Sequence, residues 1–294
     1  MNTLMLNLNE VITILCPVTR NTQNQLIQAL KGLTHITFVP TMGNLHEGHI
    51  KLIQEASKVS RNIVVSIFIN PLQFNSKEDF KNYPRTLEKD LSMLEGLNVP
   101  YVFVPSEEDI LDQLETTEIH LPPIANDLCG KFRPGHFNGV ATIVCKLFTL
   151  IKPDIAFFGK KDFQQLFLIK ALVKQLSYPI EIVGIDTVRD HDGLAKSSRN
   201  NLLSEENRKK APQLLQQLNT MKEKVKQKTS SLEEIEAQSV SALNASGWTV
   251  DYLSIRSAQS LENPLHDENQ IVILGAATLG SVRLIDNIEF CIQD

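Results

Sequence analysis

Pro40-Thr41-Met42-Gly43-Asn44-Leu45-His46-Glu47-Gly48-His49 is the stretch whose reading decides the fold. The β-branched and aromatic run Ile36-Thr37-Phe38-Val39 leads into it and predicts a buried strand. Pro40 and Gly43 punctuate a turn. From Glu47 onward Ile50, Ile53 and Ala56 are spaced for one helical face. Strand, tight turn and helix start bring backbone N–H groups and the positive end of a helix to one spot, which suits phosphate.

His46 and His49 are three residues apart and project to the same side of the first helical turn. Gly48 between them has no side chain, so a ligand can lie against the backbone. Imidazole donates hydrogen bonds to phosphate oxygens, more strongly when protonated. A histidine near a helix start is more often a surface or capping residue, and that reading competes. A zinc helix is the sharper rival, but His46-Glu47-Gly48-His49 is one residue short of H-E-x-x-H, with no nearby Cys or His to complete a closed site. The residues favour a nucleotide triphosphate.

Outward from this stretch, the chain of 294 residues predicts about two domains. Hydrophobic content of 42% and charged content of 21% are those of a folded chain able to bury a sizeable core. A net charge of −5 argues against nucleic acid as the main partner. Cys16, Cys129, Cys145 and Cys291 have no C-x-x-C spacing and suggest no disulfide framework, so a reducing, cytoplasmic compartment is expected. Cys145 falls in an apolar helical run and is expected in the core. Asn7, Asn9 and Glu10 spoil a signal peptide, and no apolar run is long enough for a membrane helix.

Ile63–Ile69 is a nearly continuous apolar run, as in a strand covered on both faces, and ends in the loop Asn70–Asn75. Helix signals around Thr86–Leu94 precede a short strand, Tyr101–Val104. Gly130–Phe137 reads as a basic loop feeding an amphipathic helix through Val140, Ile143, Val144, Leu147, Phe148 and Ile151. Strands at Ile155–Phe158 and Ile180–Ile185 bracket a helix that carries Gln164, Gln165, Leu168 and Leu172. The fold class expected is α/β, a Rossmann-like doubly wound parallel sheet with a smaller C-terminal α+β domain. The boundary is expected at 187/188, giving residues 1–187 and 188–294. Beyond it, Leu214–Val225 and Leu232–Leu243 mark helices, and Thr249–Ile255, Gln270–Leu274 and Val282–Phe290 strands. The Lys222–Lys228 run reads as a solvated helix face.

Asp192-Gly193-Leu194-Ala195-Lys196-Ser197-Ser198-Arg199-Asn200 is the second chemical loop. Two hydroxyls beside an ammonium and a guanidinium suit outer phosphates, although the same residues make an ordinary helix cap. At a domain junction, the loop reads as a mobile lid.

With these segments the chain resembles the pantoate–β-alanine ligase family, of the cytidylyltransferase-like, class I synthetase-related superfamily. The resemblance runs through Val39–His49, Ser66–Phe74, Tyr83–Asp90, His136–Phe148, Pro153–Gln165 and Asp192–Asn200, and ends at Leu284-Ile285-Asp286-Asn287. It implies ATP-dependent condensation of pantoate with β-alanine through a pantoyl adenylate, with Mg²⁺ accompanying the ATP. The ATP-binding positions it implies are Met42, Gly43, Asn44, Leu45, His46, Glu47, Gly48, His49, Gly159, Lys160, Lys161, Asp162, Val188, Lys196, Ser197, Ser198 and Arg199. His49 falls on the proton-donor position. His46, Lys161, Ser197, Ser198 and Arg199 join it as groups able to stabilise the phosphoryl transition state. Pantoate contacts fall on Gln73 and Gln165, with β-alanine also near Gln73, and a homodimer is implied. Lys160 stands where the family usually has Glu, Lys196 where a small or apolar residue is common, and Leu72 where Thr is common. Arg133 and His136 rank lower, as residues of the pocket mouth or caps of the following helix, and Asp90, weighed as a Mg²⁺ ligand, is read as a solvated helix carboxylate. An adenylyltransferase sharing the pocket and a non-catalytic nucleotide sensor are the alternatives.

Overall fold

Six strands form one sheet in the order β1 (Val18–Thr19), β4 (Tyr101–Val104), β3 (Ile63–Ile67), β2 (Thr37–Thr41), β5 (Ile155–Gly159) and β6 (Glu181–Ile185). The pairs β1–β4, β4–β3, β3–β2 and β2–β5 are parallel. The computed structural model describes residues 18–19, 23–111 and 119–293, so Cys16 and the segment around Asn7–Glu10 lie outside the described residues. Helices Glu47–Val59, Leu87–Gly96, His136–Ile151 and Phe163–Gln175 alternate with the strands, as a parallel sheet requires of its crossovers. β3 is buried along its whole length, which explains its unbroken Ile-Val-Val. Strand order reverses between β2 and β5, and such a switch point is where open α/β sheets take ligands.

By contacts the chain divides into two compact units. The first takes residues within 1–120, 135–158 and 169–185. Its core packs Leu52, Ile53 and Ala56 of the Glu47–Val59 helix against Val39, Val65 and Phe157 of the sheet. The second gathers 121–134, 159–168 and 186–294. There β7 (Trp248–Ser257), β8 (Gln270–Leu279) and β9 (Val282–Cys291) form an antiparallel sheet. Helices Gln213–Gln227 and Leu232–Ala245 cover it, burying Leu214, Leu218, Met221 and Ile235 with Ile255 and Ile273. Ser231 and Glu234 form the capping box that starts the second of these helices.

Two local expectations are corrected. The loop expected at Gly130–Phe137 shrinks to Arg133-Pro134-Gly135, because Cys129–Phe132 is a helical turn and the next helix begins at His136. The Gln164 amide oxygen accepts the Cys129 N–H at 3.0 Å and holds that turn. Cys145 is half-buried rather than a full core residue, and burial still pushes its thiol up to about 11. Among the described residues no helix is long and apolar enough to cross a membrane.

Candidate active site

In the first unit the site is built on the helix start at Glu47. His46 is the N-cap, and its Nδ1 accepts the Gly48 N–H at 3.1 Å. His49 Nδ1 in turn accepts the His46 N–H at 3.3 Å, so the two imidazoles form a reciprocal capping box with ring centroids 4.1 Å apart. A nitrogen that accepts a hydrogen bond carries no proton. Each neutral ring therefore bears its hydrogen on Nε2, as a donor. Protonating Nδ1 would forfeit the cap. A Cβ at Gly48 would lie 2.8 Å from His46 Cε1, so the glycine also makes room for the capping ring.

The turn before the helix is held from the side by Asp90. The carboxylate is 1% exposed and accepts the Asn44 and Leu45 N–H groups, both at 2.8 Å, and the Thr86 hydroxyl at 3.1 Å. The expected solvated carboxylate is thus buried, because three donors replace its water. A 260 Å³ cavity is lined by Met42, Gly43, Phe68, Leu87, Asp90 and Val104, among others.

Gln73 ends a short 3-10 turn, Pro71–Gln73. Its amide lies between Asn70, which donates to Oε1 at 3.0 Å, and Met42 Sδ, which accepts from Nε2 at 3.1 Å. The buried His136 donates from Nδ1 to the Gln73 carbonyl at 2.8 Å. Asn70 also donates to the Gly139 carbonyl at 3.0 Å. The start of the His136–Ile151 helix therefore fixes the turn that carries Gln73.

In the second unit, Lys160-Lys161-Asp162 form a 3-10 turn directly after Gly159, and Lys161 reaches Asp162 at 3.8 Å. Lys160 is paired instead, with Asp186 at 2.8 Å and Glu289 at 3.5 Å; its hydrogen bond to Asp186 raises its pKa. Residues 188–196 make a hairpin in which the Lys196 N–H donates to the Val188 carbonyl at 2.9 Å. Lys196 Nζ meets Asp190 at 2.7 Å. Both unexpected lysines thus spend their charge on local carboxylates. Ser197 Oγ accepts the Arg199 N–H at 3.2 Å. Burial lowers the pKa of Arg133, and the charges of Arg199 and Arg283 act in the same direction. The adjacent glutamines divide: Gln164 is buried and bonds the Ile124 and Asp127 carbonyls, while Gln165 is half-buried.

Comparison with known proteins decides the family. The model of pantoate-beta-alanine ligase matches residues 17–289. The chain belongs to the pantoate–β-alanine ligase family. The ligase is 49% identical over 260 residues to the pantothenate synthetase of Neisseria meningitidis serogroup C, covering 88% of this chain and 94% of the relative. It is 49% identical over 263 residues to that of Methylobacillus flagellatus, covering 90% and 95%. Among solved structures, pantothenate synthetase from Thermus thermophilus superposes with a TM-score of 0.85 at 39% identity, covering 92% and 98%. The pantoate-beta-alanine ligase of Francisella tularensis, complexed with β-γ ATP and β-alanine, gives 0.75 at 36%, covering 95% and 99%. Membership makes this ligase an enzyme of pantothenate biosynthesis, joining pantoate to β-alanine.

The structure buries Asp90 and His136, which the sequence alone leaves as a solvated carboxylate and a lower-ranked loop histidine. The available signal for Asp90 was its spacing of four from the buried Leu94, which puts it on the inward helix face. For His136 it was its position at the start of a helix whose stripe is almost wholly apolar.

Proposed function

We propose that the chain makes pantothenate in two steps. The pantoate carboxylate attacks the α-phosphorus of ATP, releasing pyrophosphate and leaving pantoyl adenylate. The β-alanine amine then attacks the acyl carbon, loses a proton and displaces AMP. The sheet order carries this reading: residues 42–49 and 160–162 follow β2 and β5, the strands at which the order reverses.

In this reading residues 42–49 and 159–162, with Val188 and Lys196–Arg199, bind ATP. The His46 and His49 Nε2–H groups donate to phosphoryl oxygens as charge builds, with His49 as proton donor. Lys161, Ser197, Ser198 and Arg199 stabilise the transition state and the departing pyrophosphate. Gln73 and Gln165 orient pantoate through neutral amides, which hold a hydroxyl and carboxylate without an ion pair that would quench the nucleophile. No group of three or more His, Cys, Asp or Glu gathers as a metal site among the described residues. Mg²⁺ accompanies the ATP in this reading, held by phosphates and water.

Residues 188–294 act as a lid that closes with the Lys196–Arg199 loop and keeps water from the adenylate. The family resemblance supports a cytoplasmic homodimer, which light scattering tests. Pyrophosphate–ATP exchange that requires pantoate tests the whole reading. Exchange without pantoate, or none at all, overturns it.

A further inference from the structure

One dipeptide on β9 touches both the Lys160–Asp162 turn and Arg189 of the hairpin that leads into Lys196. The Asn287 side-chain amide donates to the Lys160 carbonyl and to the Lys161 carbonyl, each at 2.9 Å. Those are two of the three carbonyls of the Lys160–Asp162 turn. Asp286 takes the Arg189 guanidinium in a bidentate pair, at 2.7 and 2.8 Å. Arg189 also donates to the Gly193 carbonyl at 3.0 Å and bridges in antiparallel fashion to Ala195, one residue before Lys196. Within the dipeptide, the Asn287 N–H donates to Asp286 Oδ1 at 2.8 Å. Asp286 is 5% exposed and Asn287 7%, so neither addresses solvent.

We infer that Asp286 and Asn287 are positioning residues, which set the Lys160–Lys161 turn and the Lys196–Arg199 loop in one frame for the triphosphate. The chemistry favours this pair. One primary amide has two N–H donors and so holds two successive carbonyls, which fixes the rotation of the turn as well as its place. A bidentate arginine–carboxylate pair fixes direction in a way that a lysine does not. Glu289, two residues on, meets Lys160 at 3.5 Å, so the same strand also takes the side chain of the turn. The turn and the hairpin that leads into Lys196 are separate in sequence, and both bond to β9.

The inference rests on the adenylate reading. Its test is pantoate-dependent pyrophosphate–ATP exchange by wild type, Asn287→Asp and Asn287→Ala, with thermal melts of all three. The aspartate keeps the shape but turns acceptors toward two carbonyls; the alanine removes the donors without repulsion. A misplaced site group costs on the order of 10²-fold in rate. The expected result is a loss of about that size in exchange rate and a raised KM for ATP. The KM for pantoate stays within about twofold, and melting stays cooperative. Wild-type exchange in either folded variant overturns the inference, as does a pantoate KM that rises in step with the loss of rate. Failure of both variants to fold makes the dipeptide a folding element and also overturns it. Absence of exchange in the wild type strikes the adenylate reading itself.

Discussion

Asp90 holds Leu45 by its backbone: the carboxylate Oδ1 accepts the Leu45 N–H at 2.8 Å, and Oδ2 accepts the Asn44 N–H at the same distance. The residues are 45 apart in sequence, and the bond sets the turn that delivers His46 to its helix. Asp90→Ala leaves two loop N–H groups and the Thr86 hydroxyl without their acceptor. The expected loss is about 2–4 kcal/mol of stability, read by urea unfolding. Asp90→Asn keeps one good acceptor and costs less. Equal stability of wild type and Asp90→Ala would refute the clamp.

The imidazole cap separates stability from rate. His46→Ala costs about 1 kcal/mol by loss of the cap. His49→Ala lowers adenylate formation about 10²–10³-fold with pantoate binding little changed. Single-turnover kinetics of His49→Ala at the wild-type rate would remove its proposed role.

Gly139 tests how Gln73 is placed. A Cβ at Gly139 would stand 2.2 Å from the Leu72 carbonyl oxygen and 2.9 Å from the Gln73 nitrogen, both backbone atoms that cannot yield without moving the turn. Gly139→Ala therefore shifts Gln73, and KM for pantoate rises about tenfold or more, while the ATP-induced thermal shift persists. An unchanged pantoate KM would show that the turn does not position the substrate.

Glu236 gives a pH signature in the second unit. Burial raises its pKa, opposed by the Ile255 N–H at 2.6 Å and the Ser254 hydroxyl. The unfolded chain ionises first as pH rises, so stability from this group is full below the ordinary glutamate range and falls as pH climbs through the folded value. Glu236→Gln keeps an acceptor for Ile255 and carries no charge. Its melting temperature should exceed that of wild type at about pH 7 and match it near about pH 4. A lower value at neutral pH would contradict the burial argument.

Closure of the Lys196–Arg199 loop is read by limited proteolysis. ATP with pantoate should protect the loop. Equal cleavage with and without them would end the lid proposal.

The sequence alone carried the parallel α/β class, the helix start at Glu47 and the C-terminal strands. These rest on local rules: periodicity of apolar residues, turn residues and loop position after strands. It also carried the chemistry of the His46 and Ser197–Arg199 segments, because residue type states what a group can donate. Tertiary structure decided what those groups have left to give. The accepting Nδ1 atoms of His46 and His49 leave Nε2 as the donor of each neutral ring, and Gly48 makes room for the His46 ring. Lys160 and Lys196 look like extra site charge in sequence, yet Asp186 and Asp190 absorb them. Asp90, Asp286 and Asn287 were least legible. Their effect runs through groups 45 to 127 residues away, and no local pattern encodes such a partner.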